Sequence, residues 1–355
     1  MPNLRPLIPV LGLLLAVACG TTPRPSDDWD VEVAMDIGPD VGLGGCVLGD
    51  FRPDVPGDEI AAVATDGSVW VAGRVDGSWT SELVGRLPGE MIQCAAADLL
   101  PGSPGDEIVL VGSARGPEDS GGPGTSVLVH REDGAWRFRT FHADEKLVHA
   151  VAIGDVLPAE PGLEVVVAGY GGRAYVFRSD LAGVLRSVEL GGRAKGAAVT
   201  GRGFTVALAD GRLLDCDRDG EGFAVRERAR SEAALARVAV EGERRLFCGN
   251  AGDLVLVDAR GARTLHHDAD RLRGAVLGDL DPRSPGEEFA TTGYGGSVVV
   301  IHPAAGPDGT DRVVVAFHED GHALHHLAAG PVGDLGPCLV TCGYRGRILV
   351  LRPAR

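Results

Sequence analysis

An aspartate followed nine residues later by a glutamate that opens an apolar run recurs along this chain. The copies read "GDFRPDVPGDEIAAVATDGSVWVA" from Gly49, "ADLLPGSPGDEIVLVG" from Ala97, "GDVLPAEPGLEVVVAGYGGRAYVF" from Gly154 and "GDLDPRSPGEEFATTGYGGSVVVI" from Gly278. The spacing is the same in Asp50/Glu59, Asp98/Glu107, Asp155/Glu164 and Asp279/Glu288. A shortened copy, "GDLGPCLVTCGYRGRILVL", starts at Gly333, and two degenerate copies occupy 197–217 and 236–258. Seven units result, beginning near residues 44, 91, 147, 194, 233, 272 and 323. Their spacing of roughly 39–57 residues falls in the range of propeller blades.

Each unit reads as four short strands. A small apolar strand a precedes the Gly-Asp. The P-x-x-P-G phrase forms a tight turn, with Pro fixing φ and Gly permitting a positive one. Strand b ("EIVLVG", "EVVVAG") then runs to a hairpin turn ("GYGG", "TDGS"), strand c ("RAYVF", "SVVVI") and a d strand such as "WRFRTFH". Helical periodicity is nowhere sustained. The last copy stops after strand c, and "WDVEVAMD" (Trp29–Asp36) resembles the d strand of another unit. The sequence therefore predicts an all-β, seven-bladed β-propeller over 28–355, closed by its N-terminal strand joining the last blade.

At these residues the chain resembles the FG-GAP/VCBS class of integrin-α-like propellers. That resemblance implies the fold and says little of function, because propellers host many activities. Family members often carry a calcium loop, and calcium needs six to eight oxygens. Here the middle carboxylates are mostly replaced by Pro and by apolar or small residues, leaving Asp50, Asp54 and Asp58 as a weak candidate set in the first blade. Calcium is not expected. In the other blades the reading preferred for the repeated pair is that its Asp caps the turn and its Glu anchors strand b.

The N-terminus points to export. Arg5 precedes the apolar run Leu7–Ala18, too short to span a bilayer comfortably but suited to a signal peptide. It ends in "LAVAC", which resembles a bacterial lipobox with Cys19 as the acylated residue. Expected boundaries are a lipoprotein signal peptide at 1–18, a lipidated tether at 19–27 and the propeller thereafter. The implied location is the bacterial cell envelope. Gly20, rather than Asp, after Cys19 favours the outer membrane. The net charge of −16 argues against nucleic acid, whose phosphates demand basic patches.

Six cysteines remain. Cys338 and Cys342, four apart on one strand, are too distant to bond each other. Cys46 and Cys94 occupy equivalent positions in neighbouring blades, either as a candidate disulfide or as two small buried residues.

Propellers of this type place the d–a and b–c connections around the mouth of the central channel. Eight of the ten histidines fall in d–a segments or at the start of strand a: His142, His149, His266, His267, His318, His322, His325 and His326. Only His130 and His302 fall elsewhere. Three segments carry the eight and add Asp144, Asp268, Asp320 and Arg273. Tyr170, Tyr294 and Tyr344 occupy the b–c turns of the same blades. Three readings stay open. One is a hydrogen-bonded network inherited with the repeat. The second is a binding patch for a glycan, peptide or protein. The third is a zinc, copper or iron site drawn from His266, His267, His322, His325 and His326. "HEDGH" (318–322) matches the zinc-protease signature H-E-x-x-H, but it contains Gly321 and lies between strands, not on a helix. No catalytic constellation is evident. The function expected is a lipid-anchored, non-enzymatic binding or scaffolding module; the alternative is a metal-binding propeller or metalloenzyme.

Overall fold

The structure is a computed structural model that describes residues 25–115, 122–304 and 309–354. Seven four-stranded antiparallel sheets are present, with no helix among the described residues. Chain-order numbering makes β1 (Trp29–Asp36) the first strand. The inner strands are β2 (Leu43–Gly49), β6 (Met91–Ala97), β10 (Val148–Gly154), β14 (Ala194–Thr200), β18 (Leu235–Glu241), β22 (Leu272–Gly278) and β26 (Leu324–Pro331). Each contacts the next, and β26 returns to β2, so the ring is closed. Six sheets take four consecutive strands. The seventh runs β26, then β27 (Pro337–Gly343), β28 (Arg347–Pro353) and finally β1. Pairing from Trp29 with Pro353 to Asp36 with Arg347 gives blade 7 its outer strand from the other end of the chain.

Burial follows position in the blade. Strands b, such as "EIAAVA" (59–64) and "EVVVAG" (164–169), are buried throughout because adjacent blades cover both faces. Outer strands such as Ser78–Arg86 are largely exposed. The core is a set of inter-blade layers of Val, Leu, Ile and Ala, one of them pairing blade 1 with blade 7.

The repeated glutamate is a buried clip. Its Oε2 accepts two successive backbone N–H groups from the turn after strand a. Glu59 takes Phe51 and Arg52 (3.0 and 2.9 Å), Glu107 takes Leu99 and Leu100 (2.7 and 2.9 Å), Glu164 takes Val156 and Leu157 (both 2.8 Å), and Glu288 takes Leu280 and Asp281 (both 3.0 Å). Satisfying two donors with one oxygen holds the P-x-x-P-G loop against strand b and fixes the spacing of nine. The paired aspartates do not cap the turn as expected. Asp50 Oδ1 has no partner, and it is Asp106 from the next blade whose Oδ2 accepts from Asp50 N at 3.1 Å.

The six described cysteines are free and buried. Cys46 packs in the layer between blades 7 and 1, whereas Cys94 packs in the layer between blades 1 and 2. Equivalent side chains on successive blades point the same way around the ring, so these two do not bond. The lipobox and Cys19 lie outside the described residues, among which no helix is long and apolar enough to cross a membrane.

The clip predicts a measurable cost. Glu164→Ala orphans two buried N–H groups and should destabilise the propeller by about 2–4 kcal/mol in urea unfolding, while Glu164→Gln, which keeps an acceptor oxygen, should lose markedly less.

Candidate functional site: the channel mouth

Near its start every inner strand carries a bulge, its second residue standing unpaired between the first and third. The seven extra residues are Gly44, Ile92, His149, Lys195, Ala236, Arg273 and His325. All seven line one cavity of about 280 Å³. A bulge twists its strand and re-aims the extra side chain, here into the mouth. The b–c turns supply the rest of the wall, including Thr65, Tyr170, Asn250, Tyr294 and Tyr344. These turns need glycine: Gly296 has φ +77°, and a Cβ there would lie 2.3 Å from Glu319 O.

The chemistry sits on blades 3 to 7. On one side His149 stacks on Tyr170, with ring centroids 5.7 Å apart and planes 10° off parallel. Lys195 Nζ donates to Tyr170 Oη at 2.8 Å and to His149 Nε2 at 3.3 Å. Accepting there leaves the His149 proton on Nδ1, where it is donated to Lys195 O at 3.0 Å. On the other side the Arg273 guanidinium lies 4.5 Å from the Tyr294 centroid and donates to Asn250 Oδ1 at 2.9 Å. Tyr294 and Tyr344 share a hydrogen bond of 3.2 Å, and His325 packs on Tyr344 while donating Nδ1–H to Gly44 O at 2.8 Å. Between the two sides stands Arg237, donating Nη1–H to Lys195 O and Ala236 O at 3.2 and 3.0 Å.

The mouth is cationic although the chain is acidic. Lys195, Arg237, Arg271 and Arg273 line it against one described carboxylate, Glu90. The pKa shifts follow. Burial, then the charges of Arg237, Arg273 and Arg193, pulls the Lys195 ammonium down to about 8. Burial, then Arg237, pulls His325 down to about 3, and burial with Lys195 and Arg237 holds His149 well below its ordinary range. Both imidazoles are neutral hydrogen-bonding groups at pH 7.

Of the residues singled out in the sequence, His149, Tyr170, Arg273, Tyr294, His325 and Tyr344 come together at this cavity. The others do not. His326 turns into the strand packing, with Nδ1 3.7 Å from Cys46 Sγ. His142 packs on Tyr175 and Phe177 in the next blade. Asp144 and Asp268 shape their own turns, accepting from Lys146 N and Asp270 N at 3.0 and 2.8 Å. His266 is half-buried at the end of an outer strand, and exposed His267 pairs with Asp253 at 2.8 Å. His318 bridges Ser297 and Asp320 at 2.8 and 3.0 Å. His322 is buried beside Glu319, which Arg345 and Arg347 also hold. The five histidines considered for a metal are thus spread over four environments, and among the described residues no three His, Cys, Asp or Glu side chains converge as a ligand set.

"HEDGH" forms a turn. Glu319 N donates to Gly296 O as Asp268 N does to Gly252 O, so Glu319, not Asp320, takes the place of Asp268. Asp320, grouped with Asp144 and Asp268 in the sequence, therefore stands one residue beyond their place. Two central residues, Lys195 and Arg237, were missed because they sit in degenerate copies. The available signal was positional: Lys195 lies five residues before Thr200, as His149 lies before Gly154 and Arg273 before Gly278.

No protein-family model matches this chain. No curated protein matches it. Among solved structures it is similar to one titled "Crystal structure of WD40 beta propeller domain of Doa1", at 13% identity and a TM-score of 0.66, covering 92% of this chain and 98% of that one. At that identity the likeness concerns the fold.

With only two lysines in the chain, Lys146 and Lys195, the mouth can be titrated directly. In ¹³C-lysine-labelled protein the Lys195 side-chain resonance should titrate near pH 8. The unfolded chain keeps that proton to about 10.5, so stability should rise with pH between 8 and 10.5, and Lys195→Met should flatten the rise. Seven blades, fourfold antiparallel and closed by a strand from the opposite terminus, make this chain a seven-bladed β-propeller.

Proposed function

We propose that this protein is an exported, lipid-anchored binding module of the bacterial envelope, with kinship to FG-GAP/VCBS propellers, and that it acts through its channel mouth. One observation carries the binding reading: seven bulges in seven inner strands deliver their extra residues to a single cavity. Rigid elements that converge polar and aromatic groups on one concavity are how a binding site is built. The lining favours recognition over chemistry. Its imidazoles are neutral and engaged with backbone carbonyls, and Lys195 and Arg273 lie over tyrosine rings. No nucleophile–base pair is among them. A protein, peptide or glycan presenting a small group to the cavity is the partner expected.

The anchor is supported by the sequence "LAVAC" and by a short polar segment before the first strand. Expressed in a bacterial host, the wild type should incorporate labelled palmitate and partition into detergent, and Cys19→Ser should abolish both. Labelling that persists in Cys19→Ser would remove the lipoprotein reading.

The binding face is tested separately. A photo-crosslinking amino acid at Tyr344, on the rim, should yield adducts in the producing cell. The same group at Val225, exposed on an outer strand, should not. Equal yields at the two positions, or none at Tyr344, would overturn the mouth as the face that binds.

A further inference from the structure

Arg237 is left with more than half of its guanidinium donors unused. It lines the cavity, is 5% exposed, and its Nη1 is engaged by two carbonyl oxygens. Its Nε and Nη2 are shielded from solvent and have no partner among the described residues. A buried guanidinium in that state is destabilising, and native structures retain such groups where something completes them. The fold alone gives no reason to keep an arginine here, because the equivalent place in the other six blades holds Gly45, Gln93, Ala150, Gly196, Gly274 and His326.

The unused edge has a defined shape. Elsewhere in this protein the pairs that grip both oxygens of a carboxylate use the Nε–Nη2 edge. Arg245 holds Asp215 this way at 3.1 and 3.4 Å, Arg230 holds Glu227 at 2.8 and 2.7 Å, and Arg283 holds Asp281 at 2.8 and 2.9 Å. Two parallel N–H donors match the two oxygens of one planar carboxylate. A carboxylate reaching that edge of Arg237 displaces no protein partner. Lys195 of blade 4 and Arg273 of blade 6 flank it, and neither forms an ion pair among the described residues; their partners are tyrosine, histidine, asparagine and backbone.

We propose that the channel mouth holds a small carboxylate, gripped by the Nε–Nη2 edge of Arg237 and flanked by Lys195 and Arg273. The cavity of about 280 Å³ lies just below the range of about 300–1,000 Å³ typical of ligand pockets, so it takes a compact acid or the acidic tip of something larger. Tyr170, Tyr294 and Tyr344 give it flat walls, which suit a planar body behind the carboxylate. The proposal rests on the reading of the mouth as a binding face and adds the chemistry that it recognises.

The test uses benzoate, its neutral isostere benzamide, and inorganic phosphate, each read by the Lys195 resonance, which Lys146→Arg assigns. Benzoate should shift that resonance saturably and leave Lys146 unmoved. Benzamide should leave both unmoved. Arg237→Met fills a similar volume without charge, should melt no lower than wild type, and should weaken benzoate by about tenfold or more. If that variant does not fold, Arg273→Met and the benzoate-to-benzamide comparison on the wild type decide the matter. Benzamide shifting Lys195 as benzoate does would overturn the carboxylate and leave the mouth a binding face. Phosphate binding more tightly than benzoate would overturn it in favour of a tetrahedral anion. No shift with any probe to about 50 mM, far above a millimolar Kd, would overturn the pocket itself whatever the crosslinking at Tyr344 shows.

Discussion

Seven inner strands meeting around one axis set the terms for everything else in this molecule. They approach so closely that a Cβ on Gly44 would lie 2.7 Å from Met91 O, and one on Gly274 would lie 2.5 Å from Leu327 Cβ. Small residues are the solution along the channel wall. At the mouth the bulges are the solution, because an extra residue there leaves the ladder and turns inward. The same device that interrupts the ladder at the mouth end of each inner strand therefore furnishes the site. Its chemistry varies widely, from Ile92 and Ala236 to His149 and Arg273, because a bulged side chain carries no pairing duty; at Gly44 the next strand leaves no room for a Cβ.

How much of this was legible depended on which forces write themselves into local sequence. The glutamate clip is local: a buried carboxylate must find donors, and the loop that supplies them lies seven and eight residues away, so a fixed spacing betrays it. Strand closure was legible for a related reason. "WDVEVAMD" had no partner of its own, and the last copy lacked an outer strand. The channel mouth was only half legible. Residues late in a d–a segment, such as His149 and His325, reach the channel, whereas those at its beginning, such as His142 and His267, remain at the outer end of the blade. Sorting histidines by segment could not separate the two, since radial distance along a connection leaves no mark on composition. Lys195 and Arg237 carry no such mark, because blades 4 and 5 lack the turn phrase that identifies the other copies.

The charge distribution inverts the bulk character of the chain. A protein of net charge −16 gathers four cationic side chains at one cavity and keeps its imidazoles neutral there. Neutral imidazole is itself a product of that crowding, since each added cation makes protonation costlier. Few of the acidic residues that set the net charge line this cavity, where Glu90 is the one described carboxylate. Others are paired with arginines such as Arg173 and Arg244, or spent on backbone donors. Overall charge thus describes how the molecule repels its neighbours in solution, and local charge describes what it admits.

The direction of β1 has an orientational meaning. As the outer strand of blade 7 it begins at Trp29, beside Pro353, and ends at Asp36, beside Arg347 and the b–c turn at the mouth. The chain therefore enters the propeller at the pole opposite the mouth. A molecule held through Cys19, as proposed, would turn that pole towards the bilayer and its mouth towards the aqueous phase, so the strand that seals the ring would also orient the protein.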